Sequence, residues 1–155
     1  MQFPEVAGSN LQGRRFRLPA DFEGDYNVVL IAFQQAQQYD VETWLPLLRR
    51  LRQVYPALRY YELPVVWEMP RLRQVLLDMG MRLGIPSRAT REKTITLYLD
   101  KSAFRRALDI PDESAIMVAL VDRTGRVLWR TLGPYNEAKG ASLEASVRQL
   151  PLRAL

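Results

Sequence analysis

The sequence predicts a mixed α/β fold, and three observations carry that prediction. β-branched apolar runs alternate with segments whose apolar residues recur at helical spacing. The run Val28 to Phe33 is apolar on both faces, as a strand in the middle of a covered sheet must be. The chain then closes on Val121-Asp122-Arg123-Thr124-Gly125-Arg126-Val127-Leu128-Trp129, which reads as a strand, a Gly-containing turn and a second strand.

In chain order, residues 1–26 are rich in turn formers, with a short edge strand over Arg15 to Leu18 after the Gly13 turn. Asn27 to Phe33 is the central strand. Gln34 to Tyr39 is a polar loop, and Asp40 is the expected N-cap of a helix reaching Tyr55. Trp44, Leu48, Leu51 and Tyr55 share one stripe of that helix, Pro46 bends it and Pro56 ends it. Leu58 to Val66 is a strand. Pro70 opens a second helix, with Leu72, Val75, Leu76, Met79 and Leu83 at helical spacing and Gly84 as its C′ residue. Residues 84–93 read as a loop, Thr94 to Leu99 as a strand, and Asp100 as the cap of a short helix ending at Leu108. After a loop over Asp109 to Ser114, Ile116 to Val121 pairs with Arg126 to Arg130 as a hairpin. A last helix begins at Asn136 or Glu137 and turns Leu143, Val147 and Leu150 inward, leaving Pro151 to Leu155 loosely held. The order β, β, α, β, α, β, α, β, β, α predicts a central, mostly parallel mixed sheet with helices on both faces and a C-terminal antiparallel hairpin.

With 155 residues, 48% of them apolar, the chain is one globular domain by length, with its core over about residues 3–150. It contains no Cys, which excludes disulfides, thiolate nucleophiles and Cys-ligated metal sites. It contains no His, which removes the usual general base and metal ligand. Ser87 and Ser114 therefore have no His to activate them. Glu42, Glu62, Glu68, Asp100 and Asp122 fall at no spacing that compels a catalytic or metal-binding pair, and no cofactor is expected. The net charge of +5 comes from Arg scattered along the chain. Arg14, Arg15 and Arg17, like Arg49, Arg50 and Arg52, lack the interleaved aromatics of single-strand readers, so nucleic acid is not the expected partner. No apolar run approaches the ~20 residues of a membrane span, and no signal sequence is visible, so a soluble cytoplasmic protein is expected.

The segment order from Phe3 to Leu150 resembles the thioredoxin-like superfamily, in the branch shared by peroxiredoxin-like proteins and thiol-disulfide oxidoreductases. Phe3 to Leu18 resembles that branch's N-terminal extension, and Val28 to Phe33 its central strand. Trp44-Leu45-Pro46-Leu47-Leu48 resembles the kinked first helix, Ile95 to Asp100 the strand ending in Asp, and Ala119 to Val127 the closing hairpin. Measured against Pro46 and Asp122, the resemblance implies that the two redox cysteines would stand at Gln38 and Val41, and the cis-proline at Ile116. The redox centre looks dismantled as a unit. A narrower similarity joins the Glu62 strand, the Leu72 to Leu83 helix and the Val121 to Gly133 ending. It is to a thioredoxin-like family of mitochondrial ATP-synthase assembly factors, and it would imply a chaperone-like role toward a membrane complex.

The expected function is thus a non-redox binding or assembly module with a protein partner, and homo-oligomerisation is left open. The alternative is a ligand-binding or enzymatic domain that uses the Gln38–Asp40 loop. Gln35, Gln37, Gln38, Tyr39 and Asp40 are the candidate binding residues, because they offer donors and acceptors where α/β folds often bind ligands. Of the three Trp, Trp44 is expected in the core, Trp129 half-buried, and Trp67 exposed enough to anchor an interface.

Overall fold

The computed structural model describes residues 1–85 and 87–155; Pro86, part of the loop expected over 84–93, lies outside the described residues. The elements are β1 (Val6–Asn10), β2 (Arg15–Leu18), β3 (Tyr26–Ala32), a 3-10 turn (Gln35–Gln37), α1 (Gln38–Val54), β4 (Leu58–Trp67), α2 (Arg71–Gly84), α3 (Arg88–Lys93), β5 (Ile95–Leu99), α4 (Lys101–Ala107), β6 (Met117–Asp122), β7 (Val127–Leu132) and α5 (Glu137–Arg148). Among the described residues, seven strands form one sheet in the order β2-β1-β5-β4-β3-β6-β7. β3, β4 and β5 run parallel, while β6 and β7 at one flank, and β1 and β2 at the other, are antiparallel to their neighbours. The sheet is mixed as expected, though less parallel than the alternation of elements suggested.

The period of two along the central strands divides the core. On β3, Val29 and Ile31 join Met117, Ala119 and Val121 of β6 and Phe104 of α4 in one apolar cluster. Val28 and Leu30 face the other way, and join Val118, Leu120, the α1 residues Val41, Trp44 and Leu48, and the α5 residues Leu143 and Val147. Pro46 is accommodated inside α1. Trp44 is fully buried, donates its indole N–H to the Gly133 carbonyl at 3.1 Å, and meets Tyr135 edge-on with ring centroids 5.5 Å apart.

Several expectations need correction. β1 was hidden among turn formers; it exists because its backbone pairs with β2 on one side and β5 on the other. α1 starts at Gln38, not after Asp40, and Asp40 lies in its first turn without capping it. The segment read as a loop contains α3, whose first turn is capped by the Ser87 hydroxyl accepting from the Thr90 amide. Gly84 ends α2 as a helical residue, with Ile85 as the cap. The tail is tied down: the Leu155 amide donates to the Val54 carbonyl at 2.8 Å, and Leu152 packs on the second cluster beside a half-buried Leu150.

The largest correction concerns α2. Its periodic apolar residues do not face the sheet. Leu72, Leu76, Met79 and Leu83 are well exposed and Val75 is marginally so, and no residue of this helix is buried. The reason lies in β5, whose Ile95 and Leu97 serve the first cluster while Thr96 and Tyr98 point to the side where α2 sits. The Tyr98 hydroxyl donates to Asp78 Oδ1 at 2.6 Å, and Thr96 Oγ1 lies 3.7 Å from Met81 Sδ. α2 is thus docked through polar contacts.

The β6–β7 turn follows its expected chemistry. Asp122 Oδ1 accepts from the amides of Thr124 at 2.9 Å and Arg126 at 3.0 Å, and Gly125 sits at φ +94°. A Cβ at Gly125 would collide with Gln2 Nε2 and fall 2.7 Å from Pro19 Cγ. Gly125→Ala is therefore expected to lower stability by about 2 kcal/mol, through both the left-handed backbone and the collision. Denaturant unfolding of the two proteins side by side checks this.

Candidate functional site

The site begins where β3 leaves the sheet. Phe33 is buried, so both of its backbone polar groups need partners. Gln37 is also buried, and its side chain turns back toward the strand. Gln37 Oε1 accepts from the Phe33 amide at 2.8 Å and from the Gln34 amide at 3.2 Å, while Nε2 donates to the Glu113 carbonyl at 2.7 Å. Gln34 Nε2 donates to the same carbonyl at 3.2 Å. The Phe33 carbonyl accepts from Lys101 Nζ at 3.0 Å, and that ammonium also pairs with Glu113 Oε1 at 3.0 Å. Five residues from three segments thus stitch the loop to the start of α4 and to the turn before β6.

Of the candidate binding residues, Gln37 is a structural clamp. Gln35 lies exposed in the 3-10 turn, and Asp40 is half-buried, its carbonyl accepting from Thr43 Oγ1 at 2.6 Å. Tyr39, one residue into α1, is 78% exposed. Trp67 is 50% exposed at the end of β4, as expected, where the chain enters α2. Trp129 is half-buried as expected, its indole N–H donating to Ser142 Oγ at 2.9 Å.

Two of the three positions assigned to a lost redox centre come together. Val41 and Ile116 are both buried in the second apolar cluster, so hydrocarbon occupies that part of the site. The Ile116 carbonyl accepts from the Gly133 amide at 2.9 Å. Gln38 points elsewhere: its Nε2 donates to Glu62 Oε1 at 3.0 Å. Glu62 is only 4% exposed on β4, beneath the start of α1. Burial pushes its carboxyl above the usual carboxylate range, and the bond from Gln38 opposes only part of that rise. A cavity of about 260 Å³ opens beside it, lined also by Arg49, Tyr60, Ser87, Thr90 and Lys93. The Gln38–Glu62 pair and the Lys101–Glu113 clamp were not expected from the sequence. Their partners lie 24 and 12 residues apart along the chain, and no local pattern announces them.

No protein-family model matches the chain, and no curated protein matches it. Solved structures do. A protein from Aquifex aeolicus VF5 aligns over 95% of this chain and 94% of its own, with a TM-score of 0.65 and 12% identity. A thiol:disulfide interchange protein from a Bacteroides species covers 97% of this chain and 90% of its own, at TM-score 0.60 and 15% identity. The exposed lipoprotein thioredoxin of Streptococcus pneumoniae strain TIGR4 covers 94% and 99%, at TM-score 0.57 and 14% identity. The fold is thioredoxin-like, and this chain carries it with no cysteine.

Two outcomes follow. Gln37→Ala strands the buried Phe33 amide and is expected to cost about 2–3 kcal/mol in denaturant unfolding, with little change in the denaturant slope. For Glu62, the folded state holds its proton more tightly than the unfolded chain does. Its contribution to stability is therefore fully present below the ordinary carboxylate pKa and is lost as pH rises through the folded-state value. Glu62→Gln should accordingly melt higher than the parent at neutral pH, and at the same temperature as the parent in acid.

Proposed function

Starting from a thioredoxin-like fold that has no thiol, we propose that this protein is a non-redox binding module of the assembly or chaperone-like kind, which holds a protein partner at the end of the sheet where relatives of this fold carry their redox loop. One observation carries the reading: the Gln37 clamp fixes the loop rigidly while leaving the neighbouring Tyr39 side chain out in solvent. An aromatic held outward on a pre-ordered segment loses little freedom on binding, which is the property of an interface anchor. The side-chain amides of Gln34, Gln37 and Gln38 are engaged in holding the fold together.

The cavity beside Glu62 favours a second reading, a small-molecule binding domain. Its volume of about 260 Å³ and its lining by one buried carboxyl, two cations and three hydroxyls suit a small polar ligand.

Purified protein should give no turnover above a protein-free control in insulin reduction with a dithiol, or in peroxide consumption. Turnover in either assay would remove the non-redox reading. Affinity capture from the native host should return a partner that Tyr39→Ala loses and Glu62→Gln keeps. An unchanged partner list with Tyr39→Ala counts against the Tyr39 platform, and loss with Glu62→Gln favours the cavity.

A further inference from the structure

α2 carries its apolar surface outward. At about 100° per residue, Val75, Met79, Leu72, Leu83 and Leu76 fall, in that angular order, within a stripe roughly 100° wide. Leu72 is 70% and Leu83 85% exposed, values that would suit lysines better than leucines. The opposite side holds Gln74, Asp78 and Met81, the residues that meet Tyr98 and Thr96. The helix is therefore seated on its polar side and presents a convex apolar ridge.

Arginine borders the ridge on both sides. On the same wheel, Arg71 and Arg82 stand together just before Val75, and Arg73 stands beyond Leu76. All three are exposed, and among the described residues none lies within ion-pair distance of a carboxylate. Asp78, the one acid on this helix, is held inward by Tyr98. Arg71 also lines a cavity of about 340 Å³ together with Arg15 and Arg17 of β2 and with Asp21 and Asp78. Trp67, half exposed, stands at the entry to the helix.

A convex ridge with cations on both borders fits a surface whose apolar interior lies beneath a layer of anions. We infer that α2 is an interfacial helix that rests on an anionic phospholipid bilayer. Leu72, Leu76, Met79 and Leu83 enter the acyl boundary, Arg71, Arg73 and Arg82 reach up to the phosphates, and Trp67 sits at headgroup level. Charge argues against a second copy as the occupant. Ridge-to-ridge pairing would set these arginines against their own equivalents, while the helix's one acid, Asp78, is turned inward. No helix among the described residues is long and apolar enough to cross a membrane, so the contact is peripheral.

The test uses the full chain and vesicles of phosphatidylcholine alone, or of phosphatidylcholine and phosphatidylglycerol in equal parts. The protein should co-sediment with the anionic vesicles, release with salt, and show a blue shift in Trp emission that Trp67→Phe abolishes. Joint replacement of Arg71, Arg73 and Arg82 by Gln should weaken binding by about 100-fold. Joint replacement of Leu72, Leu76 and Leu83 by Ser should abolish it. These side chains touch no core, so circular dichroism and melting should match the parent. Tyr39→Ala should bind vesicles normally, which separates this inference from the Tyr39 platform. Failure to sediment with anionic vesicles would overturn it. So would binding that neither set of variants weakens, a solution dimer that the Ser variant dissociates, or a protein partner captured through the same leucines without vesicle binding.

Discussion

Phe33 leaves the middle of the sheet with its amide and its carbonyl both out of reach of water, and each is answered by a side chain from elsewhere. The amide meets Gln37 and the carbonyl meets Lys101. That constraint organises the rest of this end of the molecule. Lys101, once drawn in, needs a counter-charge, and Glu113 supplies it. Glu113 is held in turn because its own carbonyl takes both Gln34 and Gln37. The 3-10 turn, the start of α1, the start of α4 and the turn before β6 are therefore fixed relative to one another by hydrogen bonds that are costly to leave unmade.

Thiol chemistry at this point of a thioredoxin-like fold needs a loop whose polar groups are free to serve the reaction. Here the amides of Gln34, Gln37 and Gln38 are committed to structural bonds. Val41 and Ile116 place hydrocarbon where the implied cysteine and proline would stand, and Gln38 is turned toward Glu62. The absence of cysteine thus goes with hydrocarbon packing at two of these positions. Placing Cys at Gln38 and Val41 would leave one of the two sulfurs facing a packed apolar cluster.

The strands β3, β5 and β6 were legible because each is long in β-branched residues and bounded by turn formers. The helices α1, α4 and α5 were legible from spacing and, for the last two, from Asp100 and Asn136 as caps. β1 was not, since Val-Ala-Gly-Ser-Asn has no strand character of its own and owes its state to its two neighbours. Asp40 is a good capping residue, and the rule failed because Gln37 and Gln38 begin the helix earlier. α2 shows a different limit. Periodicity located an apolar stripe correctly, but it cannot say which way a stripe faces, and Thr96 and Tyr98 on β5 decided that. The absence of Cys and His was fully legible and excluded more than any motif did. The buried clamps were invisible because they join residues through space.

The outermost strand, β2, has a further consequence. It is four residues long, its Arg15 and Arg17 point to solvent, and Pro19 follows at once. An open seven-stranded sheet offers its last strand as a template on which another chain could stack. A short template carrying two like charges and ending at a proline supports no second layer. The same arginines that make this edge basic work against polymerisation of the folded molecules through β2.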